Sequence, residues 1–279
     1  MSDASPTRVR LGLIGGNIRA SRSPALHRIA GRLAGLDVSY DLLIPAEMGM
    51  GFEAVLDHCA ATGYRGVNVT YPFKEAVVAR LAIDDPGVRR LGAVNTVVFA
   101  PGGPRGFNTD YSGFVAAYRA RFGDRAPGRV ALIGAGGVGR AIAFALARLG
   151  VEELRLVDRD AAKVAALTAA LDCRVSAHAT VDSALDGADG VVNATPVGMV
   201  GYDGTPVPAP LWPGRGWAFD AVYTPAETRF LTEAAAAGVD VLSGWELFFH
   251  QGVDAFEIFT GQPVPDLARL RADLLALAD

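Results

Sequence analysis

Residues of types and spacings suited to chemistry recur along this 279-residue chain. Gly134-Ala135-Gly136-Gly137-Val138-Gly139 follows the aliphatic run Arg129 to Ile133 directly. Glycines at a turn between a buried strand and a helix let backbone approach a pyrophosphate closely. The free N–H groups at the helix start carry partial positive charge that favours an anion. The next apolar run, Glu153 to Val157, ends on Asp158, at roughly the 20-residue offset where such sites carry an acid to the adenosine ribose. The chemistry implied is hydride transfer to or from a nicotinamide.

Asp158 favours NAD, because a carboxylate accepts hydrogen bonds from both ribose hydroxyls and repels a 2'-phosphate. Two like charges about 4 Å apart cost roughly 1 to 4 kcal/mol in partly screened surroundings. Arg159 and Lys163 lie close by, however, and two cations can hold a phosphate. NAD and NADP therefore both stay open, with NAD favoured.

A further set surrounds Asn68-Val69-Thr70-Tyr71-Pro72-Phe73-Lys74, at the end of the short apolar run Gly66 to Val69, where open α/β sheets place their ligand crevices. Most lysines on a helix are simply solvated. Here Ser21-Arg22-Ser23, Asn95-Thr96 and Asn108-Thr109-Asp110 offer polar groups from separate elements. Bland alternatives stand beside each: Ser23 before Pro24 suits a helix cap, Thr70 a strand end, Tyr223 loop packing and Gln251 a solvated helix face. The histidines His27, His58, His178 and His250 show no metal-ligand spacing, so no metal is expected.

Positioning these groups requires alternating elements. Strands are expected at Arg8 to Ile14, Val38 to Ile44, Gly66 to Val69 and Ala93 to Phe99, with helices at Ala25 to Leu33, Ala46 to Ala61 and Pro72 to Leu81. Pro101 to Pro104 reads as a turn. After a helix over Asp110 to Phe122 a second series begins. Strands Arg129 to Ile133, Glu153 to Val157, Gly190 to Asn193, Trp217 to Asp220 and Val239 to Leu242 alternate with helices Arg140 to Leu149, Ala161 to Leu171 and Phe230 to Ala237. Helices over Glu246 to Phe259 and Asp266 to Leu277 close the chain. The fold class is α/β with mainly parallel sheets. An N-terminal α/β substrate domain spans 1–108, a Rossmann-type doubly wound dinucleotide domain spans 109–244, and helices in 245–279 pack back on the first.

Composition excludes other classes. The net charge of -4 and the absence of a basic run argue against a nucleic-acid partner, and the 51% hydrophobic content is enough for sizeable cores. Met1 to Thr7 lacks the charged start and apolar block of a signal peptide, and no apolar run reaches the ~20 residues of a membrane helix. Cys59 and Cys173 stand apart without ligand spacing, as free thiols of a reducing compartment do. A cytoplasmic protein acting on a small molecule, as a monomer or homodimer, is expected.

Taken in order, Ser21-Arg22-Ser23-Pro24, Asn68 to Lys74, Ala93-Val94-Asn95-Thr96, Asn108-Thr109-Asp110, the glycine turn, Asn193-Ala194-Thr195-Pro196, Asp220-Ala221-Val222-Tyr223 and Gln251 closely resemble the shikimate dehydrogenase family, including relatives that oxidise quinate. The resemblance implies a catalytic pair, Lys74 and Asp110, and substrate contacts from Ser21, Ser23, Asn68, Thr70, Asn95, Tyr223 and Gln251. It implies cofactor contacts from Gly134, Ala135, Gly136, Gly137 and Val138, from Asp158 and Arg159, and from Thr195, Pro196, Val222 and Gly244. The expected reaction interconverts 3-dehydroshikimate and shikimate, with an NAD-dependent quinate dehydrogenase as the alternative and a non-catalytic dinucleotide sensor as a remote one. Gly139, Asp158-Arg159-Asp160 and Leu247-Phe248-Phe249 depart from the commonest family pattern, and the first two make the chain look more like the NAD-using quinate and shikimate branch.

Overall fold

The computed structural model describes residues 7–277 apart from 213 and 215. Met1 to Pro6, on which the signal-peptide reading rests, lie outside the described residues. The chain forms two compact units: one takes the chain up to Thr109 and resumes at Gln251, the other runs from Asp110 to His250.

The first unit contains β1 (Arg8–Ile14), α1 (Ser23–Leu33), β2 (Asp37–Leu43), α2 (Pro45–Met48), α3 (Phe52–Ala61), β3 (Gly66–Val69), α4 (Pro86–Leu91), β4 (Thr96–Ala100) and β5 (Gly103–Phe107). Its sheet order is β2-β1-β3-β4-β5. β1 pairs parallel with β2 and β3, while β4 runs antiparallel to both β3 and β5, so a single reversed strand interrupts an otherwise parallel sheet. The reason lies at Pro101-Gly102. A connection this short can join only antiparallel strands, and the stretch expected as a mere turn is a hairpin whose second strand is β5. Pro104 is tolerated because β5 is the sheet edge, where a missing N–H breaks no ladder.

Two expected helices differ. The run from Ala46 to Ala61 breaks between α2 and α3, where Gly49 adopts φ +64°. The run from Pro72 to Leu81 is a turn followed by a 3-10 segment at Ala76–Arg80. Tertiary bonds replace the helical ladder there: the Lys74 carbonyl accepts from Val94 N at 2.8 Å, and Phe73 stacks on Phe52 at 4.5 Å between ring centroids.

The second unit begins within α5 (Thr109–Phe122) and continues through β6 (Arg129–Ile133), α6 (Gly137–Arg148), β7 (Glu153–Val157), α7 (Ala161–Ala170), β8 (Val175–Ala177), α8 (Val181–Leu185), β9 (Gly190–Asn193), β10 (Trp217–Asp220), α9 (Arg229–Ala236) and β11 (Asp240–Leu242). The six-stranded sheet is parallel throughout in the order β11-β10-β9-β6-β7-β8. Strand order reverses between β6 and β9, so their C-terminal ends open the crevice that doubly wound folds use for ligands. An aromatic cluster closes one end of the core: Trp217 meets Tyr118 edge-on at 5.1 Å, and Phe114 meets Phe219 edge-on at 5.0 Å.

The chain ends in α10 (Gly244–Thr260) and α11 (Leu267–Ala276). The division falls inside α10, beyond the expected boundary at Gly244. Phe248 stacks on Tyr223 of the second unit, whereas Phe256 and Phe259 pack around His27 of the first, and each half of the helix follows its aromatic contacts.

Candidate active site

In the first unit, pairing register brings the polar groups to one sheet edge. Asn68, near the end of β3, lies opposite Thr96, the first residue of β4, and Thr96 lies opposite Phe107, the last of β5. Asn68, Asn95, Thr96, Asn108 and Thr109 are therefore neighbours despite their separation in sequence. The loops after β1 and β3 reach the same edge: Thr70 N donates to the Ile14 carbonyl at 2.9 Å and Gly16 N to the Tyr71 carbonyl at 3.0 Å.

A buried hydrogen-bond network sets the amides. Asn68 Nδ2 donates to the Asn95 carbonyl at 3.2 Å and to Thr96 Oγ1 at 3.0 Å, while its Oδ1 accepts from Tyr40 Oη at 2.8 Å. Asn95 Oδ1 accepts from Thr109 N at 2.7 Å and from Thr109 Oγ1 at 3.2 Å. A backbone N–H can only donate, so the oxygen end of Asn95 faces Thr109 and its amide donor is turned elsewhere. Thr109 Oγ1 also reaches Gln251 Oε1 at 3.4 Å, which ties the start of α10's second half to this edge.

Ser23 is not the cap of α1. The cap position is Arg22, without a side-chain cap bond, and Ser23 is already inside the helix. Its Oγ instead meets Ser21 Oγ at 3.1 Å, so two half-buried hydroxyls stand together at the start of α1. Lys74 is half-buried on the turn after β3 rather than on a helix, pinned by the Val94 bond to its carbonyl. Donors from Ser21, Ser23, Thr70 and Asn95, with one ammonium, suit a small anion rich in hydroxyls.

In the second unit, the glycine turn fits a dinucleotide. Gly134 has φ +101°, which only glycine adopts without strain, and a Cβ at Gly139 would lie 2.0 Å from the Gly134 carbonyl oxygen. Gly136 caps α6 without a side chain and has open space where a Cβ would be. Ala135, Gly137 and Val138 lie in the same turn, where first-turn N–H groups have no intrahelical acceptor. Asp158 is half-buried at the end of β7, its Oδ2 accepting from Ala135 N at 2.6 Å. Arg159 is exposed, and Lys163 Nζ lies 4.0 Å from Asp160 Oδ2, so its charge already has an acidic partner.

Opposite the glycine turn, the loop after β9 is shaped by Asn193. Its Oδ1 accepts from Thr195 N at 3.0 Å and Thr195 Oγ1 at 2.6 Å, and its Nδ2 donates to the Val197 carbonyl at 3.0 Å. Pro196 is exposed between them. The same Nδ2 donates to Asp220 Oδ1 at 2.9 Å; Asp220 also accepts from Val222 N at 3.0 Å and Thr228 Oγ1 at 2.6 Å. Burial pushes the Asp220 carboxyl up to about 6, against the three hydrogen bonds that favour its charge. Gly244 is packed so tightly that a Cβ would meet the Asp220, Ala221 and Val222 carbonyls at 2.6 to 2.8 Å. Asp110, buried in the first turn of α5, sits where a helix's N-terminal dipole favours a carboxylate.

The sequence reading gave no role to Tyr40 and His27, which lie behind Asn68, and quoted Asn193 and Asp220 within their motifs without the role they take in shaping the loops after β9 and β10. Tyr40 had a signal: it alternates with Val38 on the buried face of β2, and a buried tyrosine hydroxyl needs a partner. Among the described residues, no group of three or more His, Cys, Asp or Glu side chains could hold a metal ion, and no helix is long and apolar enough to cross a membrane.

A family model described as the shikimate dehydrogenase substrate binding domain matches residues 13–97, from β1 into β4, and a ThiF family model matches residues 125–171 around the glycine turn. The quinate/shikimate dehydrogenase (NAD(+)) of Corynebacterium efficiens is 39% identical over 280 residues, covering 96% of this chain and 98% of that protein. The shikimate dehydrogenase (NADP(+)) of Streptomyces avermitilis is 42% identical over 279 residues, covering 96% and 95%. The structure of quinate dehydrogenase from Corynebacterium glutamicum in complex with NAD matches with a TM-score of 0.90 at 36% identity, covering 97% of this chain and all of that one.

Proposed function

The chain belongs to the shikimate dehydrogenase family, and from that premise we propose that it is an NAD(P)-dependent oxidoreductase interconverting 3-dehydroshikimate and shikimate. The observation that carries this reading is the convergence of Asn68, Thr70, Lys74 and Asn95, from separate strands and loops, on one edge of the first sheet, with the paired Ser21 and Ser23 hydroxyls at the end of the loop that follows β1. When bound, the nicotinamide supplies the hydride. Lys74 Nζ gives a proton to the alkoxide that forms from the ring ketone, and accepts it in the reverse direction. Asp110, the other member of the proposed catalytic pair, orients the substrate hydroxyls. Ser21 and Ser23 donate to the carboxylate, Thr70 and the Asn95 amide donate to ring hydroxyls, and Tyr223 and Gln251 complete the contacts. Asn68 already spends both Nδ2 hydrogens inside the network, so its contact with substrate is a shared bond.

On the cofactor side, the first-turn N–H groups from Gly136 to Val138 take the pyrophosphate, and Asp158 takes the adenosine ribose with Arg159 beside it. Thr195, Pro196, Val222 and Gly244 line the nicotinamide end. Asp158 and the Asp160 partner of Lys163 favour NAD. The same features, with the two Corynebacterium relatives named for quinate, favour a second reading in which quinate is also oxidised. A cytoplasmic small-molecule enzyme, monomeric or homodimeric, is consistent with the net charge of -4 and the two free cysteines.

Nicotinamide absorbance with shikimate or quinate, each crossed with NAD or NADP, tests the reading. An increase with shikimate and NAD is expected. A folded chain silent in all four mixtures would overturn the enzyme reading in favour of a dinucleotide sensor.

A further inference from the structure

Tyr40 is buried in β2, 1% exposed, and takes no part in the chemistry above. Its ring stacks on the His27 imidazole, with centroids 4.8 Å apart and planes 16° from parallel, so its position is set by packing from α1. Its carbonyl accepts from Arg28 Nη2 at 2.8 Å, which anchors the backbone as well. What remains is the hydroxyl. It donates to Asn68 Oδ1 at 2.8 Å, and the Ser23 hydroxyl is its other polar neighbour.

The direction of that bond is forced. The Asn95 carbonyl can only accept, so the amide end of Asn68 facing it is Nδ2, and the end facing Tyr40 is Oδ1. Tyr40 must therefore donate. Without its O–H, Oδ1 would lose its 2.8 Å partner, and the amide, still pointing Nδ2 at the Asn95 carbonyl, would be free to rotate about its side-chain bonds. The Nδ2 bonds to Asn95 and Thr96 would then loosen, and with them the orientation of the Asn95 donor. The same hydroxyl abuts Ser23 on a different element. One buried phenol thus bonds a side chain assigned to substrate on β3 and lies beside a second at the start of α1.

We propose that Tyr40 is a positioning residue for the substrate site, its hydroxyl holding the Asn68 amide and the Ser23 hydroxyl in the arrangement that binds the carboxylated ring. The inference rests on the substrate assignment above. It separates from a purely structural role because the ring supplies the packing and the hydroxyl supplies the orientation.

Tyr40→Phe in the full chain keeps the ring and removes only the hydroxyl. Steady-state kinetics with whichever of shikimate and quinate the wild type turns over, and melting with that substrate and with NAD separately, read the effect. The substrate KM should rise about tenfold, with kcat within about threefold and the NAD KM within about twofold; the substrate-induced melting shift should shrink while the NAD-induced shift persists. A substrate KM within twofold of wild type would overturn the proposal. So would a parallel worsening of substrate KM, NAD KM and kcat, or a variant that does not fold, since either would assign the hydroxyl to general stability. Failure of the wild type to turn over either substrate would remove the functional reading instead, so the two failures are distinct.

Discussion

Asp158 reaches back from the end of β7 to the glycine turn, where its Oδ2 accepts the N–H of Ala135 at 2.6 Å. Its Oδ1 is held as well, by Asp160 N at 2.8 Å. A carboxylate anchored at both oxygens cannot swing away from an incoming 2'-phosphate, so its repulsion is retained. Asp158→Ser should therefore raise the ratio of kcat/KM for NADP over NAD by at least about tenfold, in line with about 1 to 4 kcal/mol for one close like-charge pair. Kinetics with both cofactors at one ionic strength would show it, and an unchanged ratio would remove Asp158 from cofactor selection.

The glycines of the turn should separate into two kinds. Gly139→Ala places a methyl against the Gly134 carbonyl oxygen and should destabilise by roughly 1 to 3 kcal/mol, as overpacking does. Gly136→Ala meets no protein atom within 4 Å and should leave stability within about 0.5 kcal/mol, while raising the NAD KM at least about tenfold. Denaturant melts and kinetics on both variants decide this. Equal NAD KM values for Gly136→Ala and wild type would place the pyrophosphate elsewhere.

Lys74→Ala is expected to lower kcat by at least about 100-fold, the usual contribution of a positioned proton donor. The turn should survive, because Val94 bonds the residue-74 carbonyl and not its side chain. A folded variant with near-normal kcat would move the proton to another group.

His27 is fully buried against Tyr40 and Phe259, and burial pushes its imidazole down to about 3. Between about pH 6.5 and 3 the unfolded chain holds a proton that the folded chain lacks. Stability contributed by the neutral ring is thus lost as pH falls through that window, at about 1.4 kcal/mol per unit. His27→Gln should flatten the acid limb of a stability-against-pH curve from denaturant titrations. An unchanged slope would mean that His27 is not what titrates there.

Asp220 acts with the opposite sign. With its carboxyl raised to about 6, the folded chain keeps a proton that the unfolded chain has released between about pH 4 and 6. Its contribution to stability is therefore present at low pH and lost as pH rises through about 6. Asp220→Asn should steepen the loss of stability on acidification over that window, measured in the same titrations. A parallel offset with no change of slope would contradict the raised value.

Much of this protein was legible from local pattern. The alternating apolar runs located most strands of both sheets to within a residue or two. The glycine turn and Asp158 were readable because their spacing along the chain is itself the geometry, a strand, a tight turn and a helix start. Ser21, Asn68, Lys74 and Asn95 could be nominated because polar residues closing apolar runs stand at the ends of strands.

Tertiary structure decided what local pattern does not encode. Whether Pro72 to Leu81 is helical depended on Val94 taking the Lys74 carbonyl, a partner distant in sequence. β5 depended on β4 being there to pair with, since Gly103 to Phe107 has little strand propensity of its own. Asn68 and Thr96 became neighbours only through antiparallel register, and Tyr40 and His27 came to stand behind them only when β2 and α1 packed on β1 and β3. Sequence spacing settles which backbone turns can form. Which buried donor meets which acceptor is set by pairing and packing between distant segments, because each such group must find its partner wherever the fold has put one.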